Sequence, residues 1–397
     1  MSRYDVAVLG LGATGSAALY QLAKRGARVL GIDRYAPPHA HGSTHGDTRI
    51  TRLAIGEGGH YTPLVMRSHE IWREIERETG ISLLSRVGGL IISSESRSSF
   101  THVADFFANT VAAAKKHRIE HEMLDAAAIR RRFPQFHVRD DEIGYYENAA
   151  GFVRPEDCVR AQLGLAKRHG ADIHTNEEVA SFTPDANKVA IATDRATYDA
   201  DRLIVAAGPW LPQLLGAAFS PLFKVYRQVL FWFVAKGAIE PFLPENFPVF
   251  IWELQDRNQG IYGFPAIDGA QGGVKVATEQ YEATTTPQTA LREIGAREAG
   301  AVYESLVAPH LPGLSGECVR AVSCLYTVTP DFGFIVDRHP ESERVIIASP
   351  CSGHGFKHSA ALGQALAELV LDGASRFDLT PFRIGRFGQS APRRRGT

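Results

Sequence analysis

The chain has 397 residues, of which 44% are hydrophobic and 22% charged, and its formal net charge at pH 7 is -1. This length is too great for one compact core, so we expect two domains. The balanced charge argues against a protein that binds mainly nucleic acid or an anionic membrane. No apolar run reaches the roughly 18–20 residues that cross a bilayer, so no membrane segment is expected either.

Hydrophobic periodicity, with Gly and Pro residues at the ends of the periodic segments, predicts helices and strands along the whole chain. In chain order they are strand Tyr4–Leu9, helix Thr14–Arg25, strand Arg28–Ile32, helix Thr62–Thr79, strand Gly88–Ser93, helices near Ser98–His117 and Ala126–Phe133, helix Pro155–His169, short strands from Asp172 to Ala207, strands in Val225–Val234 and Gly260–Val276, strand Arg344–Ala348 and helix Phe356–Leu371.

Four cysteines lie far apart, without the spacing of a metal or redox motif: Cys158, Cys318, Cys324 and Cys351. We therefore expect reduced thiols, no metal site and a cytoplasmic location. The apolar stretch Val6–Ala18 could mimic a signal peptide, but Asp5 interrupts its charged region, so secretion is not expected.

A dinucleotide-binding fingerprint follows the first strand. Gly10, Gly12 and Gly15 match Gly-x-Gly-x-x-Gly between a strand and a helix, and Asp33 ends the next strand. The first glycine permits the turn, the second lets a pyrophosphate approach the backbone, and the third lets helix and strand pack closely. The helix N-terminus then faces the phosphates, and Asp33 can accept hydrogen bonds from the ribose hydroxyls.

The fingerprint alone does not separate NAD from FAD, but two later features favour FAD. The apolar strand 202–207, followed by Gly208-Pro209-Trp210, is typical of the returning strand that many FAD proteins place beneath the nucleotide. Residues 352–357 (Ser-Gly-His-Gly-Phe-Lys) place another helix N-terminus after a strand, which could bind an anion or a carbonyl. A plain strand-to-helix turn remains the alternative interpretation of that second segment.

The element order predicts an α/β (α+β) fold in two discontinuous domains, because strand–helix–strand units occur at both chain ends around an antiparallel-looking middle. A Rossmann-type FAD-binding domain would combine residues 1–85, 151–220 and 320–397. A second, mostly antiparallel-sheet substrate domain would combine residues 86–150 and 221–319.

A polar segment at residues 37–52 follows the fingerprint, and its Arg49 and Arg52 would project from one face of a helical turn. Together with Cys324–Thr327 and Gly353–Lys357, this segment resembles the monomeric sarcosine oxidase and N-methyltryptophan oxidase family, within the larger group that resembles D-amino-acid oxidase. The resemblance runs nearly end to end, and includes residues 56–58, 226–228, 262–265 and 377–382.

The resemblance implies an activity and a cofactor linkage. Members of the family carry FAD attached through a cysteine thioether, and Cys324 is the matching residue. They oxidise the C–N bond of a secondary amino acid with O2, giving an imine that is hydrolysed and H2O2. The implied partners are therefore a small amino-acid substrate and O2, and a monomer is expected.

The resemblance also implies roles for individual residues. Arg52 and Lys357 would bind the substrate carboxylate, because a planar guanidinium and a compact ammonium suit that anion. Lys275, a cation in an apolar strand, would activate oxygen by stabilising the anion formed from it. The other catalytic candidates are Arg49, His45, Tyr262, Tyr326 and His354. The expected cofactor-binding residues are Gly10, Gly12, Ala13, Thr14, Gly15, Asp33, Arg34, Ser43, Thr48, Arg49, Val179, Gly208, Trp210, Cys324, Gly353, His354, Gly355, Phe356 and Lys357.

Four positions depart from the pattern of the sarcosine oxidases: Thr44, Ile55, Thr278 and Glu279. Glu279 is a candidate substrate-binding residue, since its carboxylate could attract a substrate cation. These departures leave the identity of the amino acid open. The alternative functions are a flavin dehydrogenase with another electron acceptor, an NAD-dependent oxidoreductase and a non-catalytic nucleotide-binding subunit.

Overall fold

The computed structural model describes residues 3–94, 103–254 and 259–390. Its strands are β1 Arg3–Leu9, β2 Val29–Asp33, β3 Arg49–Thr51, β4 Leu84–Arg86, β5 Gly89–Ser94, β6 Glu122–Asp125, β7 Glu142–Glu147, β8 Gly151–Val153, β9 Asp172–Thr175, β10 Val179–Pro184, β11 Val189–Thr193, β12 Thr197–Val205, β13 Lys224–Ala235, β14 Val249–Leu254, β15 Gln259–Phe264, β16 Val274–Thr278, β17 Thr284–Thr285, β18 Leu314–Val328, β19 Ile335–His339 and β20 Ser342–Ser349. Its helices are α1 Ala13–Lys24, α2 Thr62–Thr79, α3 Phe106–His117, α4 Ala126–Arg132, α5 Pro155–Arg168, α6 Leu211–Leu215, α7 Ala296–Val302 and α8 Ser359–Leu371.

A mixed sheet carries the fingerprint turn. Its strand order is β10-β11-β12-β1-β2-β9, with β20 also paired to β12 and β19 to β20. The pairs β12/β1, β1/β2, β2/β9 and β12/β20 are parallel, as expected for a Rossmann-type unit. Helix α1 packs against α5 and α8, and a Cβ at Gly363 of α8 would lie only 2.4 Å from the Ala17 Cβ of α1. The glycine therefore allows this close helix contact.

A second sheet is mostly antiparallel, with the order β17-β13-β16-β15-β14-β5-β7-β6 and β18 paired to β13. Strands β13 and β18 form a long ribbon, from Lys224 opposite Val328 to Ala235 opposite Leu314, with register shifts between Trp232 and Ala235. Among the described residues, β14 and β5 form the one parallel pair of this sheet. Cys324 lies in β18 and Lys275 in β16, so both belong to this sheet.

A small three-stranded sheet, β3-β8-β4, corrects one expectation. Arg49 lies in β3 and Arg52 directly follows it, so the two arginines are not on a helical turn. The segment is extended because β3 pairs with β8 from Arg49 opposite Val153 to Thr51 opposite Gly151.

The other predicted elements are found with small shifts of their ends. The stretch predicted as strand over 260–276 divides into β15 and β16, because Pro265 lacks an amide donor and Gly269 and Gly273 adopt positive φ. The predicted helix from Ser98 begins at Phe106 among the described residues, and residues 98–102 lie outside them. Within the described ranges, no helix is both long and apolar enough to span a membrane.

Candidate active site

A cavity of about 300 Å³ lies at the carboxyl ends of β1, β2 and β12, in front of the N-terminus of α1. We call it the larger cavity. The candidate cofactor residues that line it are Gly10, Gly12, Ala13, Thr14, Asp33, Arg34, Ser43, Arg49, Val179, Gly208, Trp210, Gly353, Gly355 and Phe356. Thr44 and Tyr326 also line this cavity.

The three fingerprint glycines serve different purposes. Gly10 has φ +86°, and a Cβ there would lie 2.6 Å from the Ala206 carbonyl oxygen. A Cβ at Gly15 would lie 1.7 Å from the Gly10 oxygen, so only glycine lets α1 approach β1. Gly12 is the N-cap of α1, and the nearest atom to a Cβ placed there would be Thr44 Oγ1 at 3.4 Å, which is an ordinary contact.

Asp33 fits the role of ribose acceptor. Its Oδ2 accepts a hydrogen bond from the Leu11 amide at 2.7 Å, and its Oδ1 accepts one from the Tyr35 amide at 2.8 Å. These bonds hold a buried carboxylate in the wall of the larger cavity, with lone pairs left for sugar hydroxyls. The amides at the N-terminus of α1 and this carboxylate together fit the dinucleotide part of FAD.

A second cavity, of about 90 Å³, adjoins the larger one. We call it the smaller cavity. Arg49, Tyr326, Gly353 and Phe356 line both, so the two meet at these residues. The candidate residues that line the smaller cavity are Thr48, Arg49, Arg52, Tyr262, Lys275, Glu279, Tyr326, Gly353, His354, Phe356 and Lys357, and its apolar wall includes Ile50, Phe106, Leu230, Ile251 and Phe264.

Glu57 bridges the two expected carboxylate-binding residues, a role that sequence reasoning missed. Its Oε2 lies 2.7 Å from Arg52 Nη2, and its Oε1 lies 3.0 Å from Lys357 Nζ. Burial raises the pKa of Glu57, but Arg52 and Lys357 outweigh it and hold that pKa well below its ordinary value. A charged residue between Gly56 and Gly58, soon after the arginines, was the available signal.

Both cations keep donors for a ligand. Arg52 Nη1 donates to the Ala54 oxygen, whereas the buried Arg52 Nε has no partner among the described residues. Lys357 donates to Glu57 and to the His354 oxygen, which are two acceptors for three ammonium donors. Burial lowers the pKa of Lys357 to about 8, against the raising effect of Glu57. An orphaned buried donor is costly, so a ligand acceptor is expected here.

Lys275 is buried within its strand, so it is not a surface lysine. Its Nζ donates to the Gly46 oxygen at 2.7 Å, the Thr48 oxygen at 2.9 Å and Thr48 Oγ1 at 3.1 Å. Burial, with Arg49 adding, lowers its pKa well below the ordinary value. These bonds tie Lys275 to a loop whose Gly46 and Asp47 amides donate to the Glu156 carboxylate.

Arg49 and His45 lie close to this loop. Arg49 donates to the Thr48 oxygen at 2.8 Å and the Ser43 oxygen at 2.7 Å, which fixes its guanidinium between the two cavities. His45 lines neither cavity, and its buried Nε2 has no partner among the described residues. Burial lowers the pKa of His45 to about 3, with Arg49 and Lys275 adding, so its ring is neutral.

Tyrosine hydroxyls and one carboxylate line the end of the smaller cavity nearest Gly353. The hydroxyls of Tyr262 and Tyr326 lie 3.3 Å apart, and burial raises the pKa of both, so they stay protonated donors. Glu279 hydrogen-bonds Tyr281, and its Oε1 would lie 3.2 Å from a Cβ at Gly353.

Of the four departures, only Glu279 lines the smaller cavity. Ile55 is fully buried in the hydrophobic core, and Thr278 is buried with its hydroxyl donating to the Gly260 oxygen. Thr44 lines the larger cavity instead. Any difference in substrate that these positions cause at the smaller cavity is therefore expected to come from Glu279.

Cys324 is buried and lines neither cavity. The next residue, Leu325, donates its amide to the Gly42 oxygen at 3.3 Å, and Ser43 Oγ bonds the Leu325 oxygen, so β18 adjoins the wall of the larger cavity. Burial raises the pKa of the Cys324 thiol, while Arg49 and Lys275 act in the opposite direction. The described residues contain no group of three side chains suited to hold a metal ion.

Comparison with known proteins decides the family. The family model described as "FAD dependent oxidoreductase" (DAO) matches residues 5–369. The chain belongs to this family. It is therefore an FAD-dependent oxidoreductase, and both the FAD prediction and the predicted family resemblance are confirmed.

Relatives of known name support the same assignment. The chain is 41% identical to the monomeric sarcosine oxidase of Streptomyces avermitilis, over 94% of each chain. It is 35% identical to the N-methyl-L-tryptophan oxidase of Salmonella arizonae, over 98% of this chain and all of that one. A Tyr258Phe mutant of NikD, an unusual amino acid oxidase, superposes with a TM-score of 0.82 at 24% identity, covering 96% of this chain and 97% of that one. This likeness confirms the predicted fold.

Proposed function

We propose that this enzyme is an oxidase of small N-methyl or other secondary amino acids. In the reaction, the C–N bond loses two electrons and two protons to become an imine, and O2 gains them to become H2O2. Water then hydrolyses the imine to an aldehyde and an amine. Relatives named as sarcosine and N-methyltryptophan oxidases support this proposal.

The observation that carries the proposal is that Arg52, whose Nε has no partner among the described residues, and Lys357 lie together in the wall of a small cavity. A substrate carboxylate would accept from the Arg52 guanidinium and from the remaining ammonium donor of Lys357. With Glu57 retained, the two cations and one anion leave one positive charge, which the substrate carboxylate would neutralise. Charge-assisted hydrogen bonds of this kind fix orientation as well as affinity.

The size of the cavity favours a small substrate. The smaller cavity, at about 90 Å³, has less than a third of the volume of the larger one, at about 300 Å³. An N-methyl amino acid without a large side chain suits this space better than one that carries an indole ring. Glu279 would attract the substrate ammonium before its proton is lost, and Tyr262 and Tyr326 would donate hydrogen bonds at the same end.

The bound flavin would supply the two-electron redox chemistry, and the protein would supply orientation and charge. Lys275 would stabilise the anion formed when dioxygen accepts the first electron. Because its three hydrogen bonds go to the 46–48 loop, it would act through charge rather than as a donor to oxygen. Arg49 and His354 would complete the surroundings of the reacting groups, whereas His45, which lines neither cavity, would not contact them.

Further parts of the proposal concern attachment, assembly and location. FAD would be joined covalently through Cys324, whose strand adjoins the larger cavity. The enzyme would act as a monomer in the cytoplasm. Residues 1–85, 151–220 and 320–397 would form its FAD-binding domain, and 86–150 and 221–319 its substrate domain.

A flavin dehydrogenase that passes electrons to another acceptor is the second candidate. The observation that favours it is that all three ammonium donors of Lys275 are already used. One experiment separates the two functions. The purified yellow protein is screened with N-methylated and cyclic amino acids, with peroxide and oxygen uptake followed together. Reduction of the flavin without oxygen consumption would establish the dehydrogenase instead.

A further inference from the structure

Glu147 is a buried carboxylate behind the smaller cavity. It ends β7, is 1% exposed, and does not line that cavity. Its Oε1 accepts the Leu53 amide at 2.7 Å, and its Oε2 accepts the Ala54 amide at 3.1 Å and the Tyr145 hydroxyl at 3.0 Å. One carboxylate thus holds two successive backbone amides directly after Arg52.

The same short segment holds the Arg52 guanidinium. Arg52 Nη1 donates to the Ala54 oxygen at 2.7 Å, so Ala54 is bonded through its amide to Glu147 and through its carbonyl to Arg52. The guanidinium also lies over the Phe106 ring, with Cζ 5.1 Å from the ring centre. Phe106 in turn packs closely on Gly56, where a Cβ would lie 2.6 Å from the Phe106 oxygen.

We propose that Glu147 is the positioning residue of Arg52, and that it sets the affinity for the substrate carboxylate without touching the substrate. This inference rests on the proposed function, because it takes Arg52 as part of the carboxylate site. Without Glu147, the Leu53 and Ala54 amides would lose their shared acceptor, so each must find another partner or move. The segment that would move carries the Ala54 oxygen, which holds Arg52.

The groups around Glu147 predict a dependence on pH. Burial raises its pKa, whereas the Leu53 and Ala54 amides, the Tyr145 hydroxyl and Arg52 lower it. The Tyr145 ring stacks on His121, whose Nδ1 bonds the Ile119 oxygen. Protonation of Glu147 replaces an acceptor with a donor, so binding of a carboxylate should weaken as pH falls. Removing the Tyr145 hydroxyl should move this weakening to higher pH.

The test uses Glu147→Gln in the flavin-loaded enzyme, with Glu142→Gln as a matched control. Glu142 is a buried carboxylate at the other end of β7, and it accepts from Trp252 Nε1 and the Arg139 amide. The probe is methoxyacetate, a carboxylate without an amine, titrated by its effect on flavin absorbance. Glu147→Gln should raise its dissociation constant about ten-fold or more, and the control should leave it unchanged. Flavin reduction at saturating amino acid should change little.

A double-mutant cycle with Arg52→Gln shows whether Glu147 acts through Arg52. Glu147→Gln should add little to the loss caused by Arg52→Gln, because the residue it positions is already gone. Fully additive losses, or equal binding by Glu147→Gln and the control, would overturn the inference. If Glu147→Gln does not retain flavin, Tyr145→Phe is tested in its place. If methoxyacetate binding by Tyr145→Phe weakens at the same acidic pH as in the wild type, the inference is overturned. A wild-type enzyme that binds no methoxyacetate would refute the carboxylate site, and this inference with it.

Discussion

Arg52 and Glu57 form an ion pair in the wall of the smaller cavity, with 2.7 Å between Nη2 and Oε2. The proposed substrate carboxylate would therefore meet an arginine whose charge Glu57 already offsets in part. Lys357 forms an ion pair with the same Glu57, so the three side chains together carry one positive charge. The predicted pair of cations is thus present as part of a triad, and the third member was not predicted.

Replacing Arg52 with Gln should weaken apparent affinity for an amino-acid substrate by about ten- to a hundred-fold, because a charge-assisted hydrogen bond is worth roughly 1.5–3 kcal/mol. The corresponding ester should bind the wild type comparably poorly and lose little further in the variant. Steady-state kinetics with acid and ester measure both. Equal activity of the wild type on acid and ester would remove the carboxylate site from the mechanism.

Lys357 should make the binding of carboxylates depend on pH. Burial lowers its pKa to about 8, so it is charged below that pH and neutral above it. The dissociation constant of methoxyacetate should therefore rise as pH increases through about 8. Lys357→Arg should abolish this rise, since arginine stays protonated. A flat profile in the wild type would contradict the prediction.

Lys275→Met should separate the two half-reactions. Anaerobic reduction of the flavin by a good substrate should change modestly, while reoxidation by dioxygen should slow by roughly 10²–10³, as when one electrostatic stabiliser is lost. Three hydrogen bonds to the 46–48 loop are lost as well, so thermal stability should fall. Stopped-flow absorbance follows each half-reaction, with Lys224→Met, on the exposed start of β13, as control. Slow reduction with normal reoxidation would make Lys275 a substrate residue.

Glu279 should favour ligands that carry an ammonium group. N,N-dimethylglycine and methoxyacetate share a carboxylate and a similar size, but only the first also carries an ammonium group. Glu279→Gln should reduce the preference for dimethylglycine by about ten-fold, the worth of one charge-assisted hydrogen bond. Anaerobic titration of flavin absorbance gives both dissociation constants. An unchanged ratio would show that this carboxylate does not contact the amine.

Cys324 should hold the flavin covalently. Wild-type protein denatured in acid should keep a yellow, fluorescent flavin, and Cys324→Ala should release it. Cys351→Ala is the matched control, because Cys351 lines the larger cavity and should not affect retention. Flavin that washes off the denatured wild type would end the attachment hypothesis.

The elements that could be predicted were those with a strong local signal. Helix α2 was predicted to its ends because its apolar period and the Gly80 stop agree, and Gly80 has the left-handed φ of +72°. The helical turn predicted for Arg49 and Arg52 was wrong, because a spacing of three residues occurs in a strand as well as in a helical turn. The segment is a strand because it pairs with β8, about 100 residues away, and such a distant pairing gives no signal in the local sequence.

The site shows the same limit. Gly12 and Asp33 could be placed because their motif includes its own structural context. The roles of Glu57, Glu147 and Glu156 could not be predicted, because each depends on the groups that the fold places beside the carboxylate. The amides and cations that they bind lie five to about 300 residues away along the chain.

The long ribbon of β13 and β18 makes the site sensitive to insertions. Side chains alternate faces along a strand, so one added residue between Val322 and Tyr326 would turn Cys324 or Tyr326 to the opposite face. At the far end, the register already shifts between Trp232 and Ala235. Phe233 lies opposite Cys318 there, and Ala235 lies opposite Leu314. Such irregularities can absorb an extra residue. Length variation is therefore tolerable at one end of this ribbon and disabling at the other.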